Sequence, residues 1–157
     1  MNQPIDIKSY LPHRAPMLMV DWIVALDHQS VETTFTVHPD NIFVQDGFFA
    51  ETGLIENAAQ TCSSIVGKGY KVDENNQDKE GVEVMGFISA LKVLKIHALP
   101  PVGSTINSKS VLVSQFTTDD YTLCTMKCQT YNGAELLLDG EINLFIREIT
   151  RVESENL

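Results

Sequence analysis

One carboxylate sits where carboxylates are scarce. From Glu51 to about Lys71 the apolar residues Leu54, Ile55, Ala58, Ala59, Cys62, Ile65 and Val66 recur at spacings i, i+1, i+4, i+5 and i+8. That is the stripe of a helix with one wide buried face. Glu56 lies on this stripe, between Ile55 and Ala58. A carboxylate held against apolar neighbours is a candidate for moving protons. Histidine is the other side chain suited to that work at neutral pH. The chain has four. His28 falls in an expected turn, His38 at a strand end before Pro39, and His97 near a loop. His13 lies in Leu11-Pro12-His13-Arg14.

The three cysteines, Cys62, Cys124 and Cys128, are an odd number without metal-type pairing. Cys124 and Cys128 fall in a strand-like segment, which puts them ~13 Å apart on one face, too far for a disulfide. The expectation is three reduced core thiols in a cytoplasmic protein. No metal, nucleotide or flavin motif is visible, so no cofactor is expected.

Positioning these groups requires a scaffold, and the patterning supplies one. Residues 20–27 read as a strand, and 30–37 follow with clean alternation, Val31, Thr33, Phe35 and Val37 against Glu32, Thr34 and Thr36. The gap, His28-Gln29, is of hairpin length. Segment 5–19, with Pro12 and Pro16, reads as a loop with a short helical turn. Residues 38–49 read as irregular, and 72–82 as a polar, acidic, exposed connection. Four more strands are expected at about 83–97, 104–116, 120–131 and 135–148. Asn132-Gly133 is the strongest hairpin signal, and the tail, 151–157, is expected to fray. The middle of the helix is rich in Ala, Ser and Cys, so other elements can approach it closely. Two strands, one long helix and a run of long strands give an α+β reading; the economical arrangement, one of several α+β options, is a curved sheet wrapped around the helix with a second copy pairing at an edge.

The composition sets the bounds. A chain of 157 residues with 43% hydrophobic and 20% charged residues is expected to form one domain, 1–157. Eleven Lys and Arg against 21 Asp and Glu give a formal charge of -10. That argues against nucleic acid and anionic membrane surfaces as partners. The first residues, MNQPIDIKSYLPHRAP, lack the pattern of a signal peptide, and no stretch approaches the ~20 apolar residues of a transmembrane helix.

Two motifs carry a resemblance. Leu11-Pro12-His13-Arg14-Ala15-Pro16-Met17-Leu18-Met19-Val20-Asp21 closely resembles the L-P-H-R-x-P-x-L-L-V-D opening of bacterial 3-hydroxyacyl-acyl-carrier-protein dehydratases. Glu56-Asn57-Ala58-Ala59-Gln60, preceded by Gly53-Leu54-Ile55, resembles that family's helix motif, E-A-x-A-Q, whose Glu is the catalytic acid. A weaker likeness joins Gly86-Phe87-Ile88 to Pro101-Val102-Gly103-Ser104. The resemblance covers roughly residues 9–148. It implies the hotdog fold, a long helix wrapped by an antiparallel sheet and working as a dimer. It departs at one place: the position of the family's catalytic loop histidine is held by Ile42, and the loop prolines and helix-entry glycine are missing.

The activity so implied is dehydration of a 3-hydroxyacyl thioester, carried by phosphopantetheine on an acyl carrier protein or on coenzyme A, in fatty-acid or polyketide-like lipid biosynthesis. A base must remove a C2 proton, an acid must protonate the departing C3 hydroxyl, and donors must steady the thioester oxygen. Glu56 and His13 are the expected catalytic residues. Backbone N–H groups around Thr52 and Gly53, at the positive end of the helix, are the expected donors, with Gly53 permitting close approach. Phe48 and Phe49 are the expected lining for an acyl chain, with core packing as the alternative for these rings. Lys68, Lys71, Lys92 and Lys95 are the densest cations that could meet an acidic carrier. Two other readings stay open: a hotdog acyl thioesterase, and a catalytically incomplete acyl-binding subunit of a heterodimer.

Overall fold

The computed structural model describes residues 3–71 and 83–149. The expected connection at 72–82, the frayed tail and the side chains of Lys68 and Lys71 lie outside the described residues. The alternating segments form the strands their patterns predict. They are β2 (Trp22–Leu26), β3 (Ser30–Thr36), β6 (Glu83–Ile96), β7 (Thr105–Thr117), β8 (Thr122–Asn132) and β9 (Glu135–Ile149). Each falls within a few residues of its expected bounds. With a two-residue strand β1 (Ile5–Asp6) they make a seven-stranded antiparallel sheet in the order β1-β2-β3-β7-β8-β9-β6.

The helix α1 (Glu51–Lys71) spans the expected segment. It packs against β3, β6, β7, β8 and β9, so the sheet curves around it. Alternation then sorts the strands. Cys124, Met126 and Cys128 of β8 and Ile142, Leu144 and Ile146 of β9 face the helix and are buried. This is the α+β hotdog arrangement that the motifs imply. All three cysteines are free and buried. Burial pushes the Cys124 thiol up to about 11 and raises that of Cys62.

The interface between helix and sheet is more polar than an apolar stripe suggests. Thr61 Oγ1 lies 2.7 Å from Thr33 Oγ1, and Cys62 Sγ lies 2.7 Å from Ser110 Oγ. Ser108 Oγ donates to Asn57 Oδ1 at 2.6 Å and lies 2.9 Å from Thr130 Oγ1. Small side chains bring the helix close, and each buried hydroxyl finds a partner there.

Two turns refine the sequence reading. Segment 38–49 holds a small hairpin, β4 (Val44–Gln45) and β5 (Phe48–Phe49). Its central residues Asp46 and Gly47 both have positive φ, 53° and 82°. That is the type I′ geometry for which Asp-Gly is suited. The β8–β9 hairpin forms where expected but is centred one residue later. Asn132 pairs with Glu135, so Gly133 and Ala134 make the turn, with Gly133 at φ 60°.

Candidate active site

The segment before β2 is held as a rigid strap. A single 3-10 turn, Ile7–Ser9, starts it, capped by Asp6 Oδ1 accepting from Lys8 N at 3.0 Å. Arg14 Nη1 donates to the carbonyls of Leu11 and His13, at 2.9 and 2.7 Å. Asp21 Oδ2 accepts from Thr36 N at 2.9 Å and ties the far end to β3. Arg14 and Asp21 therefore serve the shape of this strap.

Two amides of the helix fasten the strap across the core. Gln60 Oε1 accepts from Met19 N at 2.7 Å, and Gln60 Nε2 donates to Met17 O at 2.9 Å. Asn57 Nδ2 donates to Met19 O at 2.7 Å. The backbone of Met17 and Met19 thus fixes which end of the Gln60 amide is oxygen and which is nitrogen. Its second N–H then points at Glu56 Oε1, 2.8 Å away. Glu56, half-buried one helical turn before Gln60, has its carboxylate anchored by a donor that cannot turn away.

His13 lies within electrostatic reach of that carboxylate. Its ring is half-buried, and its Nδ1 is buried without a hydrogen-bond partner. Burial holds its pKa below the usual 6.5. The Glu56 carboxylate pulls it back up, and the Arg14 guanidinium lowers it. Burial thus favours the neutral imidazole, with the Glu56 carboxylate within electrostatic reach. A chamber of about 20 Å³ adjoins the ring, bounded by Tyr10, Leu11, Ser63 and Gly86 among others. Residues 56, 60 and 63 share one face of the helix. Ser63 lines that chamber with His13, and Glu56 and Gln60 lie on the same face of the helix.

The other expected residues fall elsewhere. Phe49 is fully buried, with its ring centroid 5.7 Å from that of Phe35. It occupies the space beside Gly53, where a Cβ would come within 2.4 Å of its ring and 2.8 Å of Phe43 Cβ. Gly53 makes its close approach to Phe49 and Phe43. Phe48 is 46% exposed and bridges to Pro101. Thr52 is exposed in the first turn of α1. His38 lies on an open groove of about 580 Å³ whose walls include Pro16, Leu18, Phe35, Asp40 and Ile42. That groove holds Ile42 where the resemblance puts a histidine. Lys92 and Lys95 stand on β6 opposite Glu141 and Asp139 of β9.

Gln60 and Asn57 are the residues whose part the sequence reading missed. Their signal was present: two amides, one and four residues beyond Glu56, on a helix whose buried face is otherwise apolar or small. Among the described residues no group of three or more His, Cys, Asp or Glu is placed to hold a metal. None of the helices described is long and apolar enough to cross a membrane.

With that geometry in place, comparison with known proteins is informative. Residues 5–154 match the family described as ApeP-like, ApeP dehydratase. No curated protein sequence matches the chain. Among solved structures, the chain is similar to the dehydratase heterocomplex ApeI:P from Xenorhabdus doucetiae, with a TM-score of 0.75 and 19% identity over 98% of this chain and 97% of that one. It is also similar to Cj0977, a sigma28-regulated virulence protein from Campylobacter jejuni, with a TM-score of 0.57 and 12% identity over 88% and 93%. A hypothetical thioesterase with coenzyme A from Streptococcus pneumoniae gives a TM-score of 0.54 and 11% identity over 79% and 83%. At these identities the structures speak for the fold.

Proposed function

The chain belongs to the ApeP-like dehydratase family, and on that premise we propose that it eliminates water from a 3-hydroxyacyl thioester carried on phosphopantetheine. The observation that carries this reading is the Glu56 carboxylate, anchored by Gln60 at 2.8 Å, within electrostatic reach of the half-buried imidazole of His13, whose burial favours its neutral form. The neutral imidazole takes the C2 proton as the C2=C3 double bond forms and the C3–O bond breaks. The imidazolium, stabilised by Glu56, returns that proton to the departing hydroxyl, which leaves as water. The pair ends as it began. Backbone N–H groups near Thr52 are the donors we assign to the thioester oxygen.

The edge strand supports a dimer. β6 is 14 residues long and unpaired on its outer side within the described chain. Ile88 and Leu91 on its helix-facing side are 38% and 45% exposed. A second chain that continues the sheet along β6 would cover both.

One observation favours a second reading. Ile42 stands in the groove where the resemblance places a proton-transferring histidine. A chain built this way also suits the role of an incomplete subunit whose partner supplies that histidine, and the similar ApeI:P structure is described as a heterocomplex. One experiment separates the readings. The purified chain is incubated with a 3-hydroxyacyl thioester and with a saturated acyl thioester, while enoyl absorbance and free thiol are followed. Enoyl product supports dehydration by the chain itself. Thiol release points to a thioesterase. Silence on both substrates points to the incomplete subunit.

A further inference from the structure

The proton transfer uses one nitrogen of His13 and leaves the other. His13 Nδ1 is buried with no hydrogen-bond partner in the protein. A buried imidazole nitrogen needs a partner in either tautomer, as a donor when it carries the proton and as an acceptor when it does not. His13 also forms part of the wall of the chamber of about 20 Å³. Leu11, Val84 and Ile146 give that chamber apolar walls, and Tyr10 and Ser63 are the lining residues that carry hydroxyls. Its volume suits one water molecule and is too small for an acyl thioester.

Ser63 sets the direction of hydrogen bonding across this space. Its Oγ donates to Ala59 O at 2.9 Å, one turn back along α1, so toward the chamber it is an acceptor. A water that donates to Ser63 Oγ turns its lone pairs toward the imidazole and accepts from Nδ1–H. The proton then sits on Nδ1 and leaves Nε2 bare. Buried as it is, Nδ1 is out of reach of an acyl group. Nε2 is therefore the nitrogen that takes the C2 proton, and it does so only in this tautomer. Gly86, on the chamber wall, keeps the space open. A Cβ there would meet Ser63 Oγ at 3.6 Å and Ile146 Cγ1 at 3.7 Å, ordinary contacts that take up room without a clash. We propose that the chamber binds one water between Ser63 Oγ and His13 Nδ1, and that Ser63 is a positioning residue that holds His13 in the Nδ1–H tautomer. This rests on the reading of His13 as the base.

Imidazole nitrogen NMR shifts test this in histidine-labelled chains, with His13→Asn assigning the signal by its loss. At about pH 7.5 burial favours the neutral ring. The unchanged chain is expected to show a pyrrole-type Nδ1 and a pyridine-type Nε2. Ser63→Ala removes the acceptor, and Gly86→Ala fills the space while keeping the hydroxyl. Both are expected to move the ring toward the Nε2–H form. A ring left in the working tautomer about one-tenth of the time loses roughly 10-fold in turnover with KM little changed. A packing role alone would lower the thermal midpoint and leave the tautomer as it was. An Nε2–H ring in the unchanged chain overturns the proposal, and so does an unchanged tautomer in either variant. The shifts are read without substrate. A chain that gives no enoyl product therefore contradicts His13 as the base, while the tautomer still decides the role of Ser63.

Discussion

Gln60 Nε2 lies 2.8 Å from Glu56 Oε1, and the same amide is locked at its other positions by Met17 O and Met19 N. The carboxylate is therefore oriented by the strap that carries His13. Gln60 is a positioning residue, since its amide acts through Glu56. Gln60→Leu removes all three bonds and leaves Met19 N–H without its buried partner, at a cost of about 2–4 kcal/mol. Gln60→Glu keeps the shape but sets a second carboxylate against Glu56. Turnover is expected to fall by roughly 10-fold or more in Gln60→Glu with KM little changed, as for a group felt mainly in the transition state. Steady-state kinetics check the split. Loss in KM alone would assign Gln60 to substrate binding.

Asn57 holds the other end of the fastening. It donates to Met19 O at 2.7 Å and accepts from Ser108 at 2.6 Å, fully inside the core. Asn57→Leu strands both partners. Denaturant unfolding is expected to show a loss of about 2–4 kcal/mol, larger than for an exposed substitution.

Gly53 gives a packing prediction of a different kind. A methyl group there meets the ring of Phe49 at 2.4 Å and Phe43 Cβ at 2.8 Å. Phe49 is fully buried. Gly53→Ala is expected to destabilise by about 1–3 kcal/mol despite alanine's better helix propensity. A raised thermal midpoint would show that the ring yields.

The long elements were legible because their periods are clean. The i, i+4, i+8 stripe marked α1 from Glu51 to about Lys71, and alternation marked β3. Asp46-Gly47 was as good a hairpin signal as Asn132-Gly133, yet it lay among residues too few to show alternation, so β4 and β5 were missed. The site was legible only in its parts. Glu56 and His13 could be named from type and motif. Gln60 orients Glu56 through backbone atoms of Met17 and Met19, 43 and 41 residues away in sequence, and no local pattern encodes that meeting. Phe49 and Gly53 show the reverse. Both suited a ligand by type, and the fold turned them toward each other.

His13 ties pH to stability. Its folded pKa lies below 6.5, chiefly because the ring is buried. The unfolded chain therefore takes up a proton first as pH falls. The contribution of this residue is fully present above about pH 6.5 and declines as pH drops from there toward the folded value. Unfolding midpoints at pH 7.5 and 5.5 are expected to show a smaller acid loss in His13→Asn than in the unchanged chain. An equal loss in both would show that His13 is as free to charge in the fold as outside it.

The rate of enoyl formation by Glu56→Gln tests the central claim most directly. The substitution keeps the size of the side chain and its place beside Gln60 while removing the ionisable carboxylate. With a 3-hydroxyacyl thioester, the unchanged chain is expected to give enoyl product, and Glu56→Gln to give it roughly 100-fold more slowly or worse, with its thermal midpoint little changed. Equal rates in the two proteins, or no enoyl product from the unchanged chain, would contradict dehydration at the Glu56–His13 pair.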